Sequence, residues 1–308
     1  MRTSTSQRTH AHLVRSGLFL AAMVCGPGFA PTAQAHDAAA LRARHAALRS
    51  TLASSAFGQP LMMESSQASN SLTGDVYAVV AQPFSIVAPA LQGADHWCNI
   101  LILHLNIKRC VVGGSAPGTV LSVAVGRKFD QPIADAYSVE FAYRPVAAQA
   151  DYLKVQLNAD AGPLGTKDYR ILVEATPIDA RSSFVHMSYS YGYGIAAGMA
   201  LQAYLVTAGR SKVGFSVTGT DASGGPVYVG NVRGMVERNT MRYFLAIESY
   251  LNASAVPAAQ RDEQRLQDWF TAIERYPRQL HEMERDDYIS MKRRELAAQR
   301  AAQSSAPS

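Results

Sequence analysis

The chain is read as an α+β protein: a meander of antiparallel strands, then a long amphipathic helix, then a helical extension. Three observations predict this. Runs rich in Val, Ile, Tyr and Phe recur between residues 61 and 193, several alternating apolar and polar residues with period two, as half-buried antiparallel strands do. Turn-rich joints such as Gly162-Pro163-Leu164-Gly165 separate these runs at short intervals, so neighbouring strands pair in order. After residue 230 the apolar spacing changes to threes and fours, through Val232, Met235, Val236, Met241, Phe244, Leu245 and Ile247. The 308 residues are 48% apolar and 17% charged, a globular composition.

Residues 1–35 have the pattern of an export leader. Arg2, Arg8 and Arg15 precede an apolar run at 18–25, Gly26, Pro27 and Gly28 break it, and Ala33-Gln34-Ala35 offers small residues to a signal peptidase. That run is too short to span a bilayer. Cleavage is expected after Ala35, and the Ala-rich leader points to the periplasm of a bacterium. The leader holds three of the 29 basic residues and none of the 24 acidic ones, so removing it lowers the net charge from +5 to +2. A near-neutral mature chain gives no electrostatic case for a nucleic-acid partner. Two cysteines then remain, Cys98 and Cys110, and an even pair in an oxidising compartment is expected to form a disulfide.

Residues 36–54 carry Leu41, Ala46, Leu48 and Leu52 near helical period and predict a partly exposed N-terminal helix. Strands are expected at 74–81, 100–112, 118–128, 136–144, 152–159, 167–176 and 182–193. Short helices are expected at 83–91, with proline in its first turn, and at 94–99. The nearly all-apolar stretch 195–208 reads as a buried helix, followed by a strand pair at 212–218 and 227–229. Residues 258–303 hold nine basic and nine acidic residues around a stripe of Leu266, Trp269, Phe270, Ile273, Tyr276 and Leu280, with a second helix at 285–300. That stripe must be buried, either on the main domain or on a partner of the cell envelope. The tail at 304–308 is expected to be disordered.

This order resembles the START/Bet v 1-like (SRPBCC) helix-grip superfamily over about residues 55–253. The likeness is carried by Leu72-Thr73-Gly74-Asp75-Val76-Tyr77-Ala78-Val79-Val80, the proline-started helix at 83–91, Trp97-Cys98 and the helix at 235–251. It implies a curved antiparallel sheet gripping the long helix around an apolar cavity. The 195–229 insertion and the 258–303 extension depart from the family pattern, so no particular activity carries over.

The cavity wall is expected to draw on the aromatic strands: Tyr137, Phe141 and Tyr143, then Tyr169, Tyr189 and Tyr191. Met199, Met235 and Phe244 would complete it from the helices. Arg170 and Glu174 form either a solvated ladder or an internal pair orienting a ligand headgroup, and His186 is a cavity-wall or core histidine. These readings make the chain a binding or carrier protein for a lipid-like or other hydrophobic ligand. The alternatives are an envelope interaction protein with a filled cavity, or a cavity enzyme of cyclase or hydrolase type using Arg170, Glu174 and His186. No catalytic residue is assigned and no cofactor is expected: the chain lacks a Walker loop, a Gly-x-Ser-x-Gly elbow and His-Glu-x-x-His. No metal is expected either, because His96, His104 and His186 are scattered.

Overall fold

The structure, a computed structural model, describes residues 33–114, 118–194, 198–199 and 211–304. Most of the expected leader, nearly all of the expected 195–208 helix and the last four residues of the tail lie outside the described residues.

Eight strands form one antiparallel sheet in the order β1-β2-β8-β7-β6-β5-β4-β3. The strands are β1 (Leu61–Gln67), β2 (Ser71–Val80), β3 (Ile107–Gly113), β4 (Val120–Val125), β5 (Tyr137–Gln149), β6 (Tyr152–Ala161), β7 (Thr166–Pro177) and β8 (Ser183–Tyr193). From β3 to β8 each strand pairs with the next in sequence, the expected meander, and β2 closes onto β8 with Val76 opposite Met187. Alternation is strict in β2, where Leu72, Gly74, Val76, Ala78 and Val80 are buried and their neighbours are partly exposed.

Two strands differ from the sequence reading. β1 was not foreseen as a separate strand, because Glu64-Ser65-Ser66-Gln67 has no apolar alternation to mark it. The apolar run at 100–112 is not one strand. Its start belongs to helix α3 (Ala94–Leu101), whose Trp97, Cys98, Ile100 and Leu101 are buried, and a turn follows before β3 begins.

On the inner face of the sheet lies the long helix α4 (Asn231–Asn252), packed on β1, β2 and β8. The approach is close: a Cβ at Gly74 of β2 would collide with Thr240 Oγ1 of α4, so this crossing requires glycine. Sheet curvature and α4 together make the helix-grip arrangement, an α+β fold. α2 (Phe84–Gln92) begins directly after Pro83, and Trp97 Nε1 donates to Leu91 O at 2.7 Å to lock α2 to α3. A disulfide joins Cys98 of α3 to Cys110 of β3, with Cα atoms 5.1 Å apart.

Part of the outer face, over β1 and β7, is covered by α1 (Ala33–Ala53), a partly exposed helix as expected. Its Leu41, Leu48 and Leu52 pack against Tyr152 and Phe184. Salt bridges Arg44–Glu64 (2.7 Å) and Lys154–Asp37 (2.8 Å) fasten it at the rim.

The C-terminal extension forms α5 (Arg261–Ile273), α6 (Pro277–Leu280) and α7 (Arg285–Ser304). Its apolar stripe is buried on the chain's own core: Leu266, Trp269, Phe270 and Ile273 all join the main cluster. Trp269 Nε1 donates to Arg242 O at 3.1 Å, and the ring stacks on Tyr288. The stripe is thereby used on the chain's own core. α7 runs along the free edge of β3, where Gln299 Oε1 accepts from Cys110 N–H (2.8 Å) and Gln303 Oε1 from Val112 N–H (2.9 Å). Helical residues four apart rise about 6 Å and strand residues two apart about 6.6 Å, so the two glutamines match alternate edge amides. The short hairpin of β9 (Val217–Thr220) and β10 (Pro226–Tyr228) precedes α4. Among the described residues no helix is long and apolar enough to cross a membrane.

Candidate functional site

Among the described residues a buried core fills the space between the inner face and α4, and it opens at one end. There a recess of about 130 Å³ remains. Phe141 of β5, Tyr169 of β7 and Tyr189 of β8 line it from the sheet, and Asn239 and Tyr243 line it from α4. The turn between α3 and β3 contributes His104 and Asn106. The rings form a continuous array: Tyr169 stacks on Tyr191 at 5.3 Å, Tyr189 meets Tyr243 at 5.3 Å, and Tyr243 stacks on His104 at 4.6 Å. Burial raises the pKa of each of the phenols of Tyr169, Tyr189 and Tyr243, so each keeps its proton at neutral pH and can donate a hydrogen bond.

His104 is 2% exposed. Its Nδ1 accepts the backbone N–H of Asn106 at 3.1 Å, which assigns the ring proton to Nε2. Nε2 has no hydrogen-bond partner among the described residues. Burial, then the positive charges of Arg242, Lys292, Lys128 and Lys108, hold its pKa well below the ordinary value, so the ring is neutral.

The recess adjoins a wider vestibule of about 800 Å³, sharing Asn106, Val125 and Pro163 with it. Phe129, Tyr137, Leu164 and Met283 supply its apolar wall, and Lys128, Lys212 and Glu282 its charged side. Leu164, at the tip of the β6–β7 connection, takes a left-handed backbone (φ 57°) and is 62% exposed. Glu282 is a hub, contacted by Lys128 (2.5 Å), Lys212 (3.2 Å) and Arg242 (2.7 Å). Burial would raise its pKa, but the charges of Arg242, Lys128 and Lys212 outweigh burial and hold it at about 2.

The expected wall residues divide three ways. Phe141, Tyr169 and Tyr189 line the recess and Tyr137 the vestibule. Tyr143, Tyr191 and Phe244 stand in the solid core beside it, Tyr143 donating its hydroxyl to Gln92 O. Met235 is only partly buried against the core, and Met199 is 70% exposed; neither lines the recess or the vestibule.

Arg170, Glu174 and His186 are on the wrong side of the sheet for a cavity role. Strand parity puts them opposite Tyr169 and Tyr189: Arg170 is exposed, while Glu174 and His186 lie on the face covered by α1. There His186 bridges Asp75 and Glu174 at 3.0 Å each and stacks on Tyr77 at 4.4 Å. Tyr152 donates to Glu174, and Lys154 links Glu174 to Asp37 of α1. The Arg170–Glu174 pair does not form, and the enzyme reading built on these three residues loses its site. His104, Asn239 and Tyr243 were missed as lining residues, while Asn106 reads from the sequence as either solvated or internal and proves internal. Tyr243 alone carried a signal, lying on the α4 face one turn from Asn239.

No protein-family model matches the chain, and no curated protein matches it. Solved structures similar to parts of it include a norcoclaurine synthase point mutant from Thalictrum flavum in complex with a transition-state analogue (18% identity, 47% of this chain and 89% of that one, TM-score 0.33). A conserved protein from Geobacillus kaustophilus is 11% identical over 59% of this chain and 96% of its own (TM-score 0.34). Ara h 8.0201 is 12% identical over 63% and 99% (TM-score 0.34). The synthase and Ara h 8.0201 are START/Bet v 1-like proteins. The helix-grip class assigned here rests on this chain's own strand order and helix placement.

Proposed function

We propose that this chain is an exported carrier that holds a lipid-like or other hydrophobic small molecule between sheet and helix in the periplasm. The observation that carries the reading is the aromatic recess opening into an apolar-walled vestibule of about 800 Å³, within the roughly 300–1,000 Å³ common for small-molecule sites. The leader pattern at 1–35 and the Cys98–Cys110 disulfide support export to an oxidising compartment. The test is mass spectrometry of organic-solvent extracts from the full chain purified from its native host, with N-terminal sequencing of the same sample. A stoichiometric apolar compound and a mature chain beginning at His36 are expected. An extract without such a compound, from a protein that also fails to bind the apolar dye 1-anilinonaphthalene-8-sulfonate, would overturn the carrier reading.

A further inference from the structure

Three observations converge on the chemistry of the ligand's buried end. First, the recess has the size of one ring. Its volume is about 130 Å³, close to the roughly 150 Å³ of a protein cavity that holds a single benzene. Aromatic faces and edges bound it, from Phe141, Tyr169, Tyr189 and Tyr243.

Second, three polar groups of the recess are unanswered. The hydroxyls of Tyr189 and Tyr243 have no hydrogen-bond partner among the described residues, nor has the side-chain amide of Asn239, and none of the three is sealed inside the protein. Asn239 and Tyr243 are four apart on α4 and share a face, and the Tyr189 ring meets that of Tyr243 at 5.3 Å, so the three converge. By contrast, His104 Nε2 is sealed, and the Tyr169 hydroxyl is already paired with Thr166 Oγ1 at 2.7 Å.

Third, the recess is uncharged. Among the described residues no ionised side chain lines it, since His104 is neutral and Lys128, Lys212 and Glu282 stand in the vestibule. An ionised head of either sign would be buried there without a partner, which is costly. An alkyl tail would leave the hydroxyls and the amide unpaired. A hydroxyl both donates and accepts, so it can answer a tyrosyl O–H and the amide oxygen at once.

We propose that the recess binds the phenol end of a neutral amphipathic ligand, its hydroxyl turned to Tyr189, Tyr243 and Asn239 and its apolar body lying outward along Tyr137, Phe129 and Leu164. This deepens the carrier reading and rests on it. Its content is orientation and class: hydroxylated ring inward, apolar tail toward the vestibule. An unsubstituted ring would fit the space without pairing the polar groups. A saturated cyclic alcohol would pair them without the edge-to-face contacts that aromatic walls offer.

The test titrates the full chain, purified from its native host, with 4-pentylphenol, pentylbenzene and 4-pentylcyclohexanol by calorimetry. The phenol is expected to bind about tenfold more tightly than pentylbenzene, the scale of one or two buried hydrogen bonds, with the cyclohexanol between them. Burial of apolar surface alone would give the reverse order for phenol and pentylbenzene. Tyr189→Phe and Tyr243→Phe keep the rings and remove one hydroxyl each, so each should shrink the phenol's advantage and leave the affinity for pentylbenzene unchanged. Should a variant fail to fold, the wild-type protein is read directly by NMR. Nuclear Overhauser contacts should join the phenol ring to Tyr189 and Tyr243, and the pentyl chain to Leu164. Pentylbenzene or the cyclohexanol binding as tightly as the phenol, or pentyl contacts to Tyr189 and Tyr243, would overturn the phenol proposal while leaving the carrier reading intact. Failure of all three probes to bind would also overturn it, and would count against the carrier reading only if 1-anilinonaphthalene-8-sulfonate failed to bind as well.

Discussion

Among single side chains, Glu282 sets the charge balance at the mouth, because two lysines and Arg242 share its carboxylate. Its folded pKa of about 2 lies below the ordinary 4.5, so its contribution is fully present above 4.5 and is lost as pH falls through about 2. Glu282→Gln should therefore lower the urea midpoint at neutral pH, with the deficit closing toward about pH 2. His186 has the opposite sign. Burial opposes its charge, yet hydrogen bonds to Asp75 and Glu174 raise its pKa above 6.5, so that stability is complete below 6.5 and is lost as pH rises through the raised value. His186→Asn should show its largest deficit in acid and a smaller one in alkali, measured by thermal melts across that range. The facing of His186 was legible from parity alone: it is three residues from Tyr189, an odd step that puts the two on opposite faces. His104 was not legible. Its place depends on where α3 gives way to β3, and its stacking partner Tyr243 is far along the chain.

At the scale of elements, the seam between α7 and β3 fits a helix to a strand edge. Gln299→Ala would leave the Cys110 amide without its acceptor, at a cost of about 1–2 kcal/mol. Hydrogen exchange at Cys110 should accelerate while amides of the central β7 and β8 stay protected; unchanged exchange at Cys110 would count against the seam. Strands β4 to β8 were readable because their inner faces are apolar and their outer faces polar with few interruptions. β1 was hidden because its polar half is stabilised by distant groups, Ser65 by Glu237 and Glu64 by Arg44. Helices α5 and α7 were foreseen as amphipathic, but no local pattern says which surface takes an apolar stripe. The β3 edge that receives α7 lies 189 residues before Gln299, whereas α5 docks on the preceding α4, Trp269 donating to Arg242 O.

Across the whole molecule, the disulfide closes a loop between α3 and β3, near the seam that α7 seals. The double substitution Cys98→Ser and Cys110→Ser should cost about 2–4 kcal/mol in urea unfolding, a loss that reduction of the wild type should reproduce. The helix-grip layout was visible in the order of elements. The narrowness of its interior was not, because cavity size depends on how Tyr143, Tyr191, Phe244 and their neighbours interdigitate, and composition does not encode that.

One detail of the β6–β7 connection bears on how such a protein balances robustness against use. Leu164 occupies a left-handed conformation that suits glycine better, and it holds a greasy side chain in water at the threshold of the vestibule. Leu164→Gly should make the chain sturdier by about 0.5–1 kcal/mol, yet weaken its hold on an apolar probe, as paired urea and probe titrations would reveal. Under the proposed carrier reading, a worse-fitting residue kept at this doorway would trade endurance for traffic, and the paired titrations test that trade.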